Sequence, residues 1–148
     1  MKDKKKRPLP ACLNKIYRNI FRRPKGPEGS KRKISFFDSG GTLRLAISPN
    51  DLFFIKSADN YINVWYAGGK GDIQNYMLRS SLKAVEETFK GTPLVRCHRQ
   101  YIVNLDKMKV LRQTDSGYEI LTDCGDIPPI PVSETYSETV IKRVGASL

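Results

Sequence analysis

The sequence predicts an α+β domain that is mainly β. Three observations predict it. Short runs rich in β-branched and aromatic residues recur at close intervals from residue 34 onward, turn residues separate them, and helical periodicity appears only in brief stretches. Antiparallel pairing follows from connections that short.

Residues 1–10 are basic and punctuated by proline, a composition that does not fold alone. A short amphipathic helix is predicted next. Leu13, Ile16, Tyr17, Ile20 and Phe21 recur at helical spacing, with Lys15, Arg18, Arg22 and Arg23 around them. Residues 24–33 (PKGPEGSKRK) read as a linker, because two prolines and two glycines end the helical pattern.

From Ile34 the period changes. ISFFDSGGTLRLAI reads as two strands joined at Asp38-Ser39-Gly40-Gly41, and Ser48–Asp51 makes a second turn. LFFIKSADNYINVWYA supplies two further strands around Ala58-Asp59-Asn60, and DIQNYML returns as another after the glycines at 68, 69 and 71. SSLKAVEETF (80–89) turns helical, with Leu82, Val85 and Phe89 on one face and a serine able to cap it. LVRCHRQYIV, KVLRQT and YEILTD read as strands, the last two joined at Asp115-Ser116-Gly117. IPPIPV is extended by its prolines, and Ser133 opens a final helix in which Tyr136, Val140 and Val144 lie four apart. No internal repeat is present.

Charge divides the chain. Residues 1–33 carry thirteen Lys or Arg against two acids, whereas residues 34–148 carry thirteen of each, so the formal net charge of +11 sits wholly in the first 33 residues. A basic arm of this kind meets polyanions: nucleic acid, anionic lipid or an acidic partner. The reading is therefore a basic arm and linker over 1–33 and a folded domain over 34–148. Three widely spaced cysteines, Cys12, Cys97 and Cys124, suggest reduced thiols and neither a disulfide framework nor a zinc site. No apolar run approaches the roughly 18–20 residues needed to cross a bilayer, and Asn14 and Lys15 interrupt the apolar stretch after the basic start too early for a signal peptide. A cytoplasmic protein is expected.

Enzymatic chemistry finds little support. His98 is the only histidine, and Cys97 beside it would point to the opposite face of a strand. No phosphate loop, HExxH or nucleophile elbow occurs, so neither catalysis, a cofactor nor a metal is expected. Residues 94–113 are locally cationic, with Arg96, Arg99, Lys107, Lys109 and Arg112 against Asp106 alone, and also hold His98, Gln100 and Asn104. Such side chains can donate to phosphates and base edges, and composition equally allows a polar outer sheet face. The turn Lys56–Tyr61 can present side chains or serve local backbone bonding.

Taken in series, FFIKSADNYINVW (53–65), RSSLKAVEETF (79–89), LVRCHRQYIVNLDKM (94–108) and IPVSETY (130–136) resemble the LytTR family of bacterial DNA-binding domains over about residues 34–144. The resemblance implies an elongated antiparallel β fold that lays loops into successive major grooves of double-stranded DNA, as a response-regulator-like transcription regulator. The family is usually fused to a phosphate-accepting receiver domain, and from its length and pattern this sequence is expected to lack one. Carried onto this sequence, it implies base contacts by Asn60, Tyr61, Arg99 and Thr135. Phosphate or positioning contacts are implied for Lys56, Arg79, Ser81, His98, Gln100, Lys107 and Ser133. It further implies two copies on repeated half-sites. The sequence departs from the family where a basic residue commonly follows the serine that opens the last helix, since Glu134 stands there and repels phosphate. The alternative reading is an interaction module drawn to an anionic membrane or acidic partner by residues 12–23.

Overall fold

The computed structural model describes residues 33–89 and 91–145. The basic arm, its predicted helix over 12–23 and nearly all of its linker lie outside the described residues.

The predicted alternation of short strands is realised as three antiparallel sheets. A two-stranded sheet pairs β1 (Ile34–Phe37) with β2 (Leu43–Ile47). The central sheet comprises β3 (Leu52–Ala58), β4 (Tyr61–Ala67), β5 (Ile73–Arg79), β6 (Leu94–His98) and β7 (Tyr101–Asn104), in the order β5-β4-β3-β7-β6. The third sheet comprises β8 (Met108–Thr114), β9 (Gly117–Thr122) and β10 (Ile130–Val132), with β9 in the middle. Two α-helices complete the described chain, α1 (Leu82–Glu86) and α2 (Glu134–Gly145).

The helical period read over 80–89 resolves into α1 followed by a 3₁₀ turn at Glu87–Phe89. Ser81 caps α1, its hydroxyl oxygen accepting from the Ala84 N–H at 3.2 Å. The Thr88 hydroxyl donates to the Val85 carbonyl at 2.8 Å, which favours the tighter winding where the α-helix stops.

Two cores sandwich the central sheet. On one face Ile55, Ile62, Val64, Leu78 and Ile102 meet Ile34, Phe36 and Ile47 of the first hairpin, together with Leu82, Val85 and Phe89. On the other, Phe53, Phe54, Val95, Cys97 and Val103 meet Ile120, Ile130, Val132 and Val140. Cover on both faces explains why β3 begins with an unbroken apolar run, and a register shift between Leu52 and Phe54 brings the consecutive residues Phe53 and Phe54 into the same core. The buried Asn104 joins distant segments: its side-chain amide donates to the Pro49 and Leu52 carbonyls at 2.8 Å each. The β8–β9 turn is pressed onto the end of β10. Gly117 has φ +143°, and a Cβ there would lie 2.7 Å from the Val132 carbonyl oxygen.

Candidate nucleic-acid interface

Several turns converge at one end of the central sheet. β3 and β4 are joined by the two-residue turn Asp59–Asn60, closed by the Ala58–Tyr61 pair. Asp59 takes a left-handed φ of 59°, which a short Asp side chain tolerates. β6 and β7 are joined by Arg99–Gln100. Backbone bonds tie these turns to their neighbours. The Ser57 N–H donates to the Gln100 carbonyl at 2.9 Å, Ser80 to Asn60 at 3.2 Å, Ser39 to Arg79 at 2.9 Å, and Ser133 to Cys97 at 3.0 Å. One pole thus gathers the first hairpin turn, the 59–60 turn, the start of α1, the 99–100 turn and the start of α2.

Most of the side chains expected to meet DNA stand exposed there: Lys56, Asn60, Tyr61, Arg79, Ser81, Arg99, Gln100 and Thr135, with His98 and Ser133 half-buried. The Arg79 guanidinium lies 6.0 Å from the ring of Tyr61, its cross-strand partner, and Lys56 Nζ lies 5.5 Å from the Tyr101 ring. Asn60, Arg79 and Ser81 also share a cavity of about 580 Å³ with Asp38 and Asp59. The pole is not uniformly cationic, because Asp59 and Glu134 are exposed on it.

The 99–100 turn is braced from within. Cys97 is fully buried, and the register shift between Arg96 and His98 sets the half-buried His98 opposite Tyr101. Nδ1 of His98 accepts from the Gln100 N–H at 3.1 Å, which requires that nitrogen to be unprotonated. Desolvation, followed by the neighbouring Arg99 and Arg96 charges, holds the imidazole pKa below its ordinary value and favours that neutral form. The hydrogen then resides on Nε2. The T-shaped contact with Tyr101, ring centroids 5.5 Å apart, fixes the ring plane.

Arg96 completes the brace. Its Nε donates to the His98 carbonyl at 3.0 Å and its Nη2 to the Arg99 carbonyl at 2.9 Å, while Nη1 pairs with Glu86 at 2.8 Å. Its guanidinium also lies 5.6 Å from the Tyr136 ring in α2. One side chain thereby ties the turn to both helices. The local cationic stretch pointed to Arg96, but only the fold reveals that its donors face inward.

One expectation is corrected. Lys107 is 6% exposed, at the far end of β7, where its ammonium lies 5.7 Å from the Phe53 ring and faces Asp51, Asp123 and Asp106. Burial lowers its pKa, and it lies away from the turns at the opposite pole, so the exposed position expected of it is not found. Ser81 is already engaged as the α1 cap, leaving its hydroxyl hydrogen free to donate. Cys124 is buried, 1% exposed. Cys97 is free, and burial pushes its thiol up to about 12, which leaves it without nucleophilic character.

A model of the LytTr DNA-binding domain matches residues 44–145, from β2 to the end of α2. The chain belongs to the LytTR family of DNA-binding domains. This LytTR chain is 34% identical over 107 residues to a response regulatory protein of Vibrio cholerae, covering 71% of this chain and 41% of that one. It is 28% identical over 117 residues to the transcriptional regulatory protein BtsR of Escherichia coli, covering 78% and 46%. The LytTR chain thus spans less than half the length of these relatives. A solved LytTr DNA-binding domain from Bacillus cereus superposes with a TM-score of 0.60 over 77% of this chain and 97% of that one, at 19% identity, which establishes the shared fold. The mainly β class read from the sequence is the LytTR fold. Among the described residues, no cluster of three His, Cys, Asp or Glu side chains could hold a metal, and no helix is long and apolar enough to cross a membrane.

Proposed function

We propose that this LytTR domain reads double-stranded DNA by sequence through the turns at one pole, within a bacterial transcription regulator. What carries this reading is the collection of Asn60, Tyr61, Arg99 and Thr135 at one end of a sheet whose strands are fixed by two cores. Side chains on turns anchored by rigid strands can reach successive grooves without a recognition helix. Arg99 is assigned the principal base contact, since its guanidinium is exposed and can grip guanine in two places. Asn60, Tyr61 and Thr135 are assigned further base contacts. Lys56, Arg79, Ser81, Gln100 and Ser133 position the phosphates, and His98 offers Nε2–H beside them.

In this reading the domain over 34–148 selects the site, and residues 1–33, with their excess of +11, supply sequence-independent attraction. Two copies on repeated half-sites would divide the recognition between them. No catalytic step is assigned to the protein, and a cytoplasmic location fits the DNA target. The deciding experiment is in vitro selection of duplex DNA by the purified chain. Enrichment of a defined motif is expected, and failure to enrich one sinks specific reading. Sedimentation with anionic vesicles tests the competing assignment: vesicle binding that depends on residues 12–23, without any DNA shift, favours a membrane-recruited module.

A further inference from the structure

We propose that β5 is a self-pairing edge, through which two copies of this chain join antiparallel into one continuous ten-stranded sheet. A strand at a sheet edge presents unpaired N–H and C=O groups, and folded proteins guard such edges with charge, proline, bulges, brevity or a covering element. Nearly every other edge among the described residues is guarded. β6 lies under α2 and β10, and its Cys97 carbonyl accepts from the Ser133 N–H. β8 carries Lys109 and Arg112 and a register shift beside Met108. β10 has three residues including Pro131, β1 has four with a register shift at Phe36–Phe37, and β2 has five including Arg44.

Among the described residues, β5 has none of these guards until its last residue. It runs seven residues from Ile73 to Arg79 and pairs with β4 in unbroken register. Ile73 to Leu78 (IQNYML) contains neither charge nor proline. Gln74, Asn75 and Met77 are exposed, Met77 at 53%. Among the described residues, only the far end of this edge is engaged by a backbone bond, where the Arg79 carbonyl accepts from Ser39.

A second copy is the occupant that this edge fits. An antiparallel edge pair related by a twofold axis is isologous, so a strand that can extend a sheet meets its own complement. The uncharged stretch ends in an acid, Asp72, at one side and a base, Arg79, at the other. Antiparallel alignment brings the acidic end of each strand toward the basic end of its partner. A parallel alignment would place like charges together. One strand pair buries less than the roughly 1,200–2,000 Å² of a stable interface, so association is weak and concentration-dependent. Because β5 runs toward the reading pole, antiparallel pairing points the two poles in opposite directions. On the DNA-reading assignment above, such a pair holds two duplex segments and not two half-sites of one.

Sedimentation equilibrium of the full chain from about 1 µM to 1 mM tests the association without DNA, the range being that of weak complexes. A monomer–dimer equilibrium is expected, with amide hydrogen exchange slowing at residues 73–78 as concentration rises. The double variant Asn75→Lys, Met77→Lys alters only exposed positions. It is expected to stay monomeric over the same range, with the thermal midpoint of the dilute wild type. A wild type that remains monomeric at 1 mM overturns the proposal. So does a dimer whose exchange protection lies outside β5 or that survives the double variant. A β5-dependent dimer that binds duplex DNA yet fails to capture a second labelled duplex on a bead-bound one overturns the opposed orientation. Loss of all DNA binding with the dimer intact counts only against the DNA reading.

Discussion

The Gln100 N–H donates to Nδ1 of His98, two residues earlier, at 3.1 Å, so the turn that presents Arg99 closes on a neutral imidazole. Protonating that nitrogen removes the acceptor. The folded-state pKa lies below the ordinary 6.5, so the unfolded chain takes up the proton first as pH falls. The stability from neutral His98 is complete above 6.5 and is lost as pH falls through the folded pKa. Thermal unfolding followed from pH 7.5 downward should therefore decline more steeply for the wild type than for His98→Gln. Parallel declines would remove His98 from the brace.

Arg99 is exposed, and its carbonyl, not its guanidinium, is engaged by the brace. Arg99→Ala should leave stability within about 0.5 kcal/mol, as surface changes usually do. Specific DNA binding should weaken by roughly 1–3 kcal/mol with one base preference relaxed. Titrations against selected and random duplexes separate the outcomes, since equal losses on both would show that Arg99 reads no base.

Arg96 acts on the same turn from within the protein. Arg96→Ala leaves two carbonyls and Glu86 without their donor, which should cost about 1–3 kcal/mol of stability. It should also lower specific binding more than nonspecific binding. Arg96→Lys restores charge without the fork of donors and should recover only part of either loss. Full recovery by lysine would mean that charge alone matters.

Lys56 and Lys107 provide a matched pair. Replacing the exposed Lys56 by Met should reduce the slope of log affinity against log salt by about one. Lys107→Met should leave that slope unchanged, because its ammonium is buried at the other pole. A reduced slope for the second variant would return Lys107 to the phosphate contacts.

Deleting residues 1–33 should weaken binding to all duplexes and flatten the salt dependence while preserving the selected motif. A change of motif would show that the arm reads bases.

Strands and turns were legible in the sequence because side-chain alternation and turn residues are local signals. The 59–60 turn and the final helix could both be read that way. Lys107 misled for an equally physical reason. A lysine in a cationic stretch reads as solvent-exposed, and only the fold places three carboxylates and a phenyl ring around it. The role of Arg96 was hidden because its partners are gathered from α1, α2 and the turn. The register shift at Arg96–His98 has no composition signature at all.

The two turns assigned to DNA reading differ in how much of the molecule they depend on. Asp59–Asn60 is closed by the register of its own hairpin and a single backbone bond from Ser80, whereas Arg99–Gln100 is held through the Arg96 side chain by residues of both helices. For retargeting, the first is a cassette: positions 59–61 can be randomised and selected on new sites with little compensation elsewhere. The second must be redesigned together with the helix surfaces that hold it.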